Sequence, residues 1–231
     1  MQEKKNLIGG MYVNVFNIIG PVMVGPSSSH TAGAVRIGKI ARIMLGEKLD
    51  SALIKLHGSF ARTYKGHGTD RAIVGGLLGM EIDDCRLGNS LEIAANTGLF
   101  CSFQLVFLKD AHPNTAVLEL TGLSGKKLSI TGASVGGGNI VIKSVDGLDV
   151  NFNGQYNTLV IQHRDTPGTI ASVTNLLAQD VINIAQMKVY RSDRGGCAIM
   201  VIETDQELSN ELTASVNRLP NIIKAVSIKP L

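Results

Sequence analysis

The sequence predicts an α+β protein in two parts. The first is a mixed α/β half; the second is a unit of strands and helices in a regular order. Three observations carry this. From Thr158 onward, apolar runs with period two and apolar residues at helical spacing follow one another as strand, helix, strand, strand, helix, strand. Before residue 150, strand-like and helix-like runs also alternate, but in no simple repeat. Between the two, "VNFNGQYN" (150–157) concentrates Asn and Gly between apolar runs, as a turn-rich boundary does. The expected parts are therefore 1–152 and 158–231, and a chain of 231 residues is long enough for both.

The first half opens on "GPSSSHTAGAVRIGKIARIML" (25–45). One of the serines after Pro26 is expected to cap a helix whose broad apolar face is Val35, Ile37, Ile40, Ala41, Met44 and Leu45. "SALIKLHGS" (51–59) reads as a strand and "TDRAIVGGLLGM" (69–80) as a helix. "SFQLVFL" (102–108) and "AVLELTG" (116–122) read as strands, and "KLSITGASVGGGNIVIKSVDG" (127–147) as two strands around "GGGN". In the second half, "TLVIQHRD" (158–165) is a strand. Ile170, Val173, Leu176 and Leu177 mark a helix entered at Pro167 and Gly168. "INIAQMKVYR" (182–191) and "CAIMVIETD" (197–205) are strands around the turn "SDRGG". Leu208, Leu212, Val216 and Leu219 mark a second helix, and "NIIKAVSIKPL" supplies the last strand. That order is the ferredoxin-like split βαβ sandwich. Such a unit leaves edge strands and one sheet face to be covered, which favours pairing with a second copy.

Composition excludes several classes. The net charge is +3 with mixed signs, and aromatic residues are not interleaved with Lys and Arg, so no nucleic-acid partner is expected. No run is long enough to span a membrane free of charge or glycine, and "MQEKKNLIGG" lacks the apolar core of a secretory signal. Cys85, Cys101 and Cys197 are an odd, dispersed set without a CxxC pair, which favours reduced thiols and a cytoplasmic location. No metal ligands are assigned, because the histidine spacing matches no zinc motif.

Three polar turns carry the functional expectation. In "GPSSSHTAG" a single cap is enough for the helix. The other hydroxyls lie where free N–H groups and the helix dipole attract an anion, so Ser28, Ser29 and Thr31 could hold a carboxylate or phosphate. His30 there could donate a hydrogen bond or move a proton. "YKGHGTDRA" (64–72) repeats the chemistry: Gly66 and Gly68 flank His67, and Thr69 and Asp70 meet a helix start. Asp70 could orient His67 or cap the helix. Arg62, Lys65 and Arg71 surround this motif and could favour a carboxylate. "HPNT" (112–115), with His112 and Asn114, is a third such spot, or simply a turn. "GGGN" (136–139) is an anion-binding loop or a hairpin turn, and Cys101 reads as a small buried side chain rather than a nucleophile.

Taken together, "GPSSSHTAG", "GSFARTYKGHGTD" (58–70), "HPNT" and "GGGN" resemble the beta-chain family of iron–sulfur-dependent L-serine dehydratases, and the second half resembles an ACT domain. The resemblance implies an L-serine ammonia-lyase that converts L-serine to pyruvate and ammonia through aminoacrylate, as in serine catabolism or gluconeogenesis. It implies a [4Fe-4S] cluster held mainly by a separate alpha subunit, with iron acting as a Lewis acid for the departing hydroxide. It makes His30, His67 and Ser29 the candidates for the chemistry. Ser28, Ser29, Thr31, Thr69, Asp70, His112 and Asn114 become the candidates for binding the amino-acid substrate. In the ACT-like half it points to an effector site at His163, Asp165 and Gly168, with Asn183 at the start of the next strand. The first half also resembles the serine-binding regulatory domain of some phosphoglycerate dehydrogenases, so a noncatalytic amino-acid-binding subunit is the alternative.

Overall fold

The structure is a computed structural model that describes residues 22–231. The reading of "MQEKKNLIGG" lies outside these residues. The chain enters through a wide π-type turn, Ser28–Ala32, that runs directly into helix α1, Gly33–Leu45. Ser27 is the cap: its Oγ accepts the His30 N–H at 3.3 Å. All six residues of the expected apolar face of α1 are buried. The helix ends because Gly46 takes a left-handed conformation (φ 75°) and returns its N–H to Arg42 O.

Strand β1, Leu49–His57, follows, then α2, Gly58–His67, and α3, Thr69–Leu78. A 3-10 turn, Cys85–Asn89, leads to α4, Ser90–Asn96, and to strand β2, Phe100–Val106. The strands β3, Thr115–Gly122, β4, Lys127–Gly136, β5, Asn139–Val145, and β6, Leu148–Phe152, complete a six-stranded sheet of order β2-β1-β3-β4-β5-β6. Among the described strands of this sheet only β1 and β2 run parallel, because the helices between them form a crossover; the other pairs are antiparallel. Alternate residues of β1 and β3 (Ala52, Ile54 and Leu56; Ala116, Leu118 and Leu120) are buried in one core with α1 and α3.

α1 and α3 cross with their backbones in contact. A Cβ on Gly38 would stand 2.3 Å from Ile73 O, and one on Gly76 would stand 2.1 Å from Val35 O. No side chain fits at this crossing, so the two helices are locked to each other at one point.

The second half has β7, Asn157–Arg164, α5, Thr169–Gln179, β8, Ile184–Arg191, β9, Cys197–Thr204, α6, Asn210–Asn217, and β10, Ile222–Ile228. Its sheet order β10-β7-β9-β8 is that of the ferredoxin-like fold expected from the sequence. Leu159, Ile161, Met200 and Ile202 on one sheet face pack with Val173, Leu177, Leu212 and Val216 of the two helices. The other face does not wait for a second copy: Val160, Ile199, Val201 and Ile228 join the core of the first half. Edge strand β8 stays open, with Met187 and Val189 exposed.

The structure corrects several local expectations. Gly58 and Ser59 are not the end of a strand but the first turn of α2, a helix that buries only Phe60 and so lacks an apolar stripe to betray it. α4 and the 3-10 turn likewise carry no apolar stripe, since they bury only Ser90 and Ala94, and only Leu87, respectively. β6 lies in what reads as a boundary, because only Val150 and Phe152 of its five residues are buried. The helix read to Met80 stops at Leu78, where Gly79 turns left-handed (φ 87°).

Candidate functional site

The π turn before α1, the start of α2, the α2–α3 joint and the loop before β3 meet at one place. Gly58 (φ 62°) makes this possible. A Cβ there would lie 2.5 Å from Pro113 O, so only glycine lets the "HPNT" loop close on the start of α2. Pro113 O accepts the N–H groups of Ser59 at 2.7 Å and Phe60 at 3.4 Å, in place of a side-chain cap. Gly68 (φ 70°) makes the second bend, ending α2 and starting α3.

These bends bring His30 and His67 together, with ring centroids 4.8 Å apart and edge to face. His30 is buried, with Phe60 on another side at 5.3 Å, whereas His67 is exposed. His30 Nε2 is 3.2 Å from Ser59 Oγ, and its Nδ1 is 3.3 Å from Ser27 Oγ. A hydroxyl can donate or accept, so both ring nitrogens are satisfied in either neutral tautomer. Burial, and after it the charge of neighbouring His67, hold the His30 pKa below its ordinary value, against a smaller upward pull from its hydrogen bond with Ser59. The result is an oriented, neutral imidazole at neutral pH, able to take a proton.

A cleft of about 180 Å³ opens beside this pair, lined by Gly25, Pro26 and Thr31 on one side and Lys65, His67, Gly68 and Arg71 on the other. It is smaller than the ~300–1,000 Å³ of sites for drug-sized ligands and suits a molecule the size of an amino acid. Larger clefts of about 450 and 490 Å³ lie at the C-terminal ends of α1 and α3 and on the sheet, and neither is lined by a histidine. Thr31 Oγ1 and Thr69 Oγ1 are buried without a hydrogen-bond partner among the described residues, as are Asn114 Oδ1 and Ser134 Oγ. Buried polar groups are rarely left so, and three of the four, Thr31, Thr69 and Asn114, lie on the elements that build this site, with Ser134 on neighbouring β4.

The beta-chain model for serine dehydratases matches residues 14–145, more than half of the chain. The chain belongs to the serine dehydratase beta-chain family. The resemblance extends to full length. The probable L-serine dehydratase beta chain of Bacillus subtilis is 44% identical over 217 residues, covering 94% of this chain and 98% of that one. The beta chain of L-serine dehydratase from Peptoniphilus asaccharolyticus is 37% identical, covering 88% and 92%. A D-3-phosphoglycerate dehydrogenase of Methanocaldococcus jannaschii is 29% identical over 96% of this chain but only 42% of its own length. An ACT-domain model, of the kind found in small subunits of AHAS, matches residues 159–224.

Within this chain the remaining candidates separate. Ser28 and Ser29 are half-buried on the π turn and make no side-chain hydrogen bond among the described residues. Asp70 is buried; its Oδ1 accepts the Arg71 N–H at 2.9 Å, so its carboxylate serves the start of α3 and does not bond to His67. His112 is exposed and turned into its own loop, accepting the Asn114 N–H on Nδ1 at 3.1 Å. "GGGN" is the β4–β5 hairpin turn, with Gly136, Gly137 and Gly138 all at positive φ. Gly138 O accepts from Arg36 of α1 at 2.7 Å. Burial pushes the half-buried Cys101 thiol up to about 11, which suits a packing role rather than a nucleophile.

Ser27 and Ser59, the two partners of His30, were missed as site residues. The signal available was a Gly-Ser pair directly after a strand.

The ACT-like candidates lie at two ends of their sheet. His163 is buried with Nε2 unpartnered among the described residues, and Gly168 (φ 87°) caps α5. Asp165 accepts from Gly195 N and Arg191; these bonds, that of Gly195 first, hold its carboxyl below the usual range and fasten the "SDRGG" turn. Asn183 instead donates to Asp205 at 2.6 Å, beside the Ile184↔Thr204 pair, whereas His163 pairs with Ala198. Six residues of strand, roughly 20 Å, separate the two ends.

The chain's own residues do not fit a [4Fe-4S] cluster as a ligand set. Among the described residues no three His, Cys, Asp or Glu side chains converge, and the three cysteines are free. No described helix is long and apolar enough to cross a membrane.

Proposed function

We propose that this chain is the beta subunit of an L-serine ammonia-lyase, which converts L-serine to pyruvate and ammonia, the water lost on dehydration being taken up again on hydrolysis. A separate alpha subunit holds the [4Fe-4S] cluster. The carrying observation is His30: buried, neutral, fixed between Ser27 and Ser59, and packed behind His67, which with Lys65 and Arg71 lines a small cleft. The full-length match to chains called L-serine dehydratase beta chains supports the reading.

In it, Arg71 and Lys65 attract the serine carboxylate, and the Thr31 hydroxyl, which lacks a partner, donates to it. Ser28 and Ser29 lie on the same turn for the substrate's polar groups. His30 accepts or relays the proton that leaves the substrate, and Ser59 and Ser27 hold its ring; His67 limits water access and raises the cost of charging His30. Aminoacrylate then tautomerises and hydrolyses to pyruvate and ammonia.

The test is anaerobic pyruvate formation from L-serine by the chain alone, by the cluster-bearing partner alone and by the mixture. Activity confined to the mixture, and reduced at least about 100-fold by His30→Ala, is expected. An associated complex with an intact cluster and no turnover overturns the assignment. A second reading, a noncatalytic amino-acid-binding subunit, is favoured by the match of nearly the whole chain to part of a D-3-phosphoglycerate dehydrogenase. It predicts full activity in the His30→Ala, His67→Ala double variant together with loss of L-serine binding.

A further inference from the structure

We propose that Lys224 is a positioning residue for the His30 site, acting from the ACT-like half through helix α1. Lys224 stands on β10 and crosses the seam between the halves. Its Nζ donates to Met44 O and, at 3.1 Å, to Leu45 O. These are carbonyls of the last turn of α1, which have no partner within the helix. Gly46 N–H serves Arg42 O and leaves both to Lys224. In its charged form the amine also complements the negative end of the helix dipole.

The lysine is held at a cost. Burial, and then Lys126 beside it, push its amine down to about 7, while Asp146 and Glu47 pull weakly the other way. A surface lysine with free rotamers would avoid both penalties; this one is kept against the end of α1.

What lies at the two ends of this contact gives it meaning. The other end of α1 is the π turn that carries His30, and 13 residues of helix span about 20 Å as one rod. α1 cannot shift alone, because Gly38 and Gly76 leave no slack against α3. α3 in turn carries Thr69, and His67 stands across Gly68 from it. On the ACT-like side, Ile222 pairs with His163, and Arg164 N donates to Asn221 O at 2.9 Å. The start of β10 thus touches the loop 163–168 and, two residues after Ile222, the end of α1. A displacement of that loop has a continuous packed route to His30.

The experiment follows the His30 ring by NMR in the full chain, its signals assigned with His30→Ala, for wild type, Lys224→Met, Lys224→Arg and the control Lys229→Met. Lys229 lies on the same C-terminal run but pairs with Glu207 instead of with the end of α1. Lys224→Met is expected to move the His30 signals and titration midpoint, Lys224→Arg to restore most of the shift, and Lys229→Met to leave them in place. In the complex with the partner subunit, Lys224→Met is expected to raise KM for L-serine about threefold or more.

Unmoved His30 signals in folded Lys224→Met overturn the proposal, as does an equal shift in Lys229→Met. Should Lys224→Met not fold, Lys224→Gln, which keeps a donor and drops the charge, decides by the same signals. The turnover arm rests on the proposed function; the NMR arm does not, so failure of one is told apart from failure of the other.

Discussion

Gly76→Ala should destabilise this protein although it puts a better helix former into a helix. The added Cβ would stand 2.1 Å from Val35 O, 2.9 Å from Lys39 N and 3.0 Å from the Gly38 Cα, all of them backbone or backbone-attached atoms that no rotamer can move aside. Returning the shortest contact to van der Waals distance needs roughly 1 Å of separation between α1 and α3. Overpacking of this kind costs about 1–3 kcal/mol, and loosening the crossing forfeits packing besides. The intrinsic gain from Gly to Ala, about 1 kcal/mol, offsets only part. We expect a net loss of about 2 kcal/mol, roughly 4–8 °C in Tm for a chain of this length. Gly66→Ala is the matched control: Gly66 lies inside α2 with nothing within 4 Å of the added atom, so the same exchange should stabilise by about 0.5–1 kcal/mol. Urea unfolding of both variants, with m-values compared, is the assay. Equal stability of the two, or a Gly76→Ala protein as stable as wild type, would refute the claim that backbone contact sets this crossing.

Two further outcomes are expected. His30 has its folded-state pKa depressed below the ordinary 6.5, so the unfolded chain takes up its proton first as pH falls. Its neutral, buried state therefore favours folding above about 6.5, and that stability is lost as pH drops from there to the folded-state value. Unfolding at pH 7.5 and 5.5 should show a smaller acid loss in His30→Gln than in wild type; identical losses would count against a desolvated neutral imidazole. Thr69→Val should leave the isolated chain as stable or more stable, because the hydroxyl it removes is buried and unpartnered. The same variant should weaken L-serine binding, read by calorimetry on the assembled complex, if that hydroxyl is kept for a ligand.

The ACT-like half was legible because its signals are local. Each strand is bounded by a turn residue or a cap, and Val173 and Leu177, or Leu212 and Val216, repeat at helical spacing. The first half was legible only where a strip of sequence buries one clear face, as in α1 and β3. α2 buries Phe60 alone and carries glycines at its ends and interior, so its polar pattern reads as loop; its existence depends on tertiary contact with the "HPNT" carbonyl. The candidate site shows the same division. Residue types and motif positions pointed to His30, His67 and Thr31, since unusual clusters of hydroxyls and histidines are visible one strip at a time. That His30 rests on Ser59, 29 residues away, depends on two left-handed glycines and could not be read from either strip alone. Asp70 meets neither of its two readings: it does not bond to His67, and it lies inside the first turn of α3, whose N-cap is Gly68, with its Oδ1 taken by the next residue's N–H.

The face that Val160, Ile199, Val201 and Ile228 present to the first half has a consequence for how the chain can be handled. A cut in the stretch 153–156 would sever few covalent or hydrogen-bonded links, yet it would strip the greasy underside of the C-terminal sheet and open the larger core beside β6. Each fragment taken alone would expose an apolar face that the intact chain buries. In the intact chain the two halves therefore share one buried core, and separating them calls for polar replacements at Val160, Ile199, Val201 and Ile228.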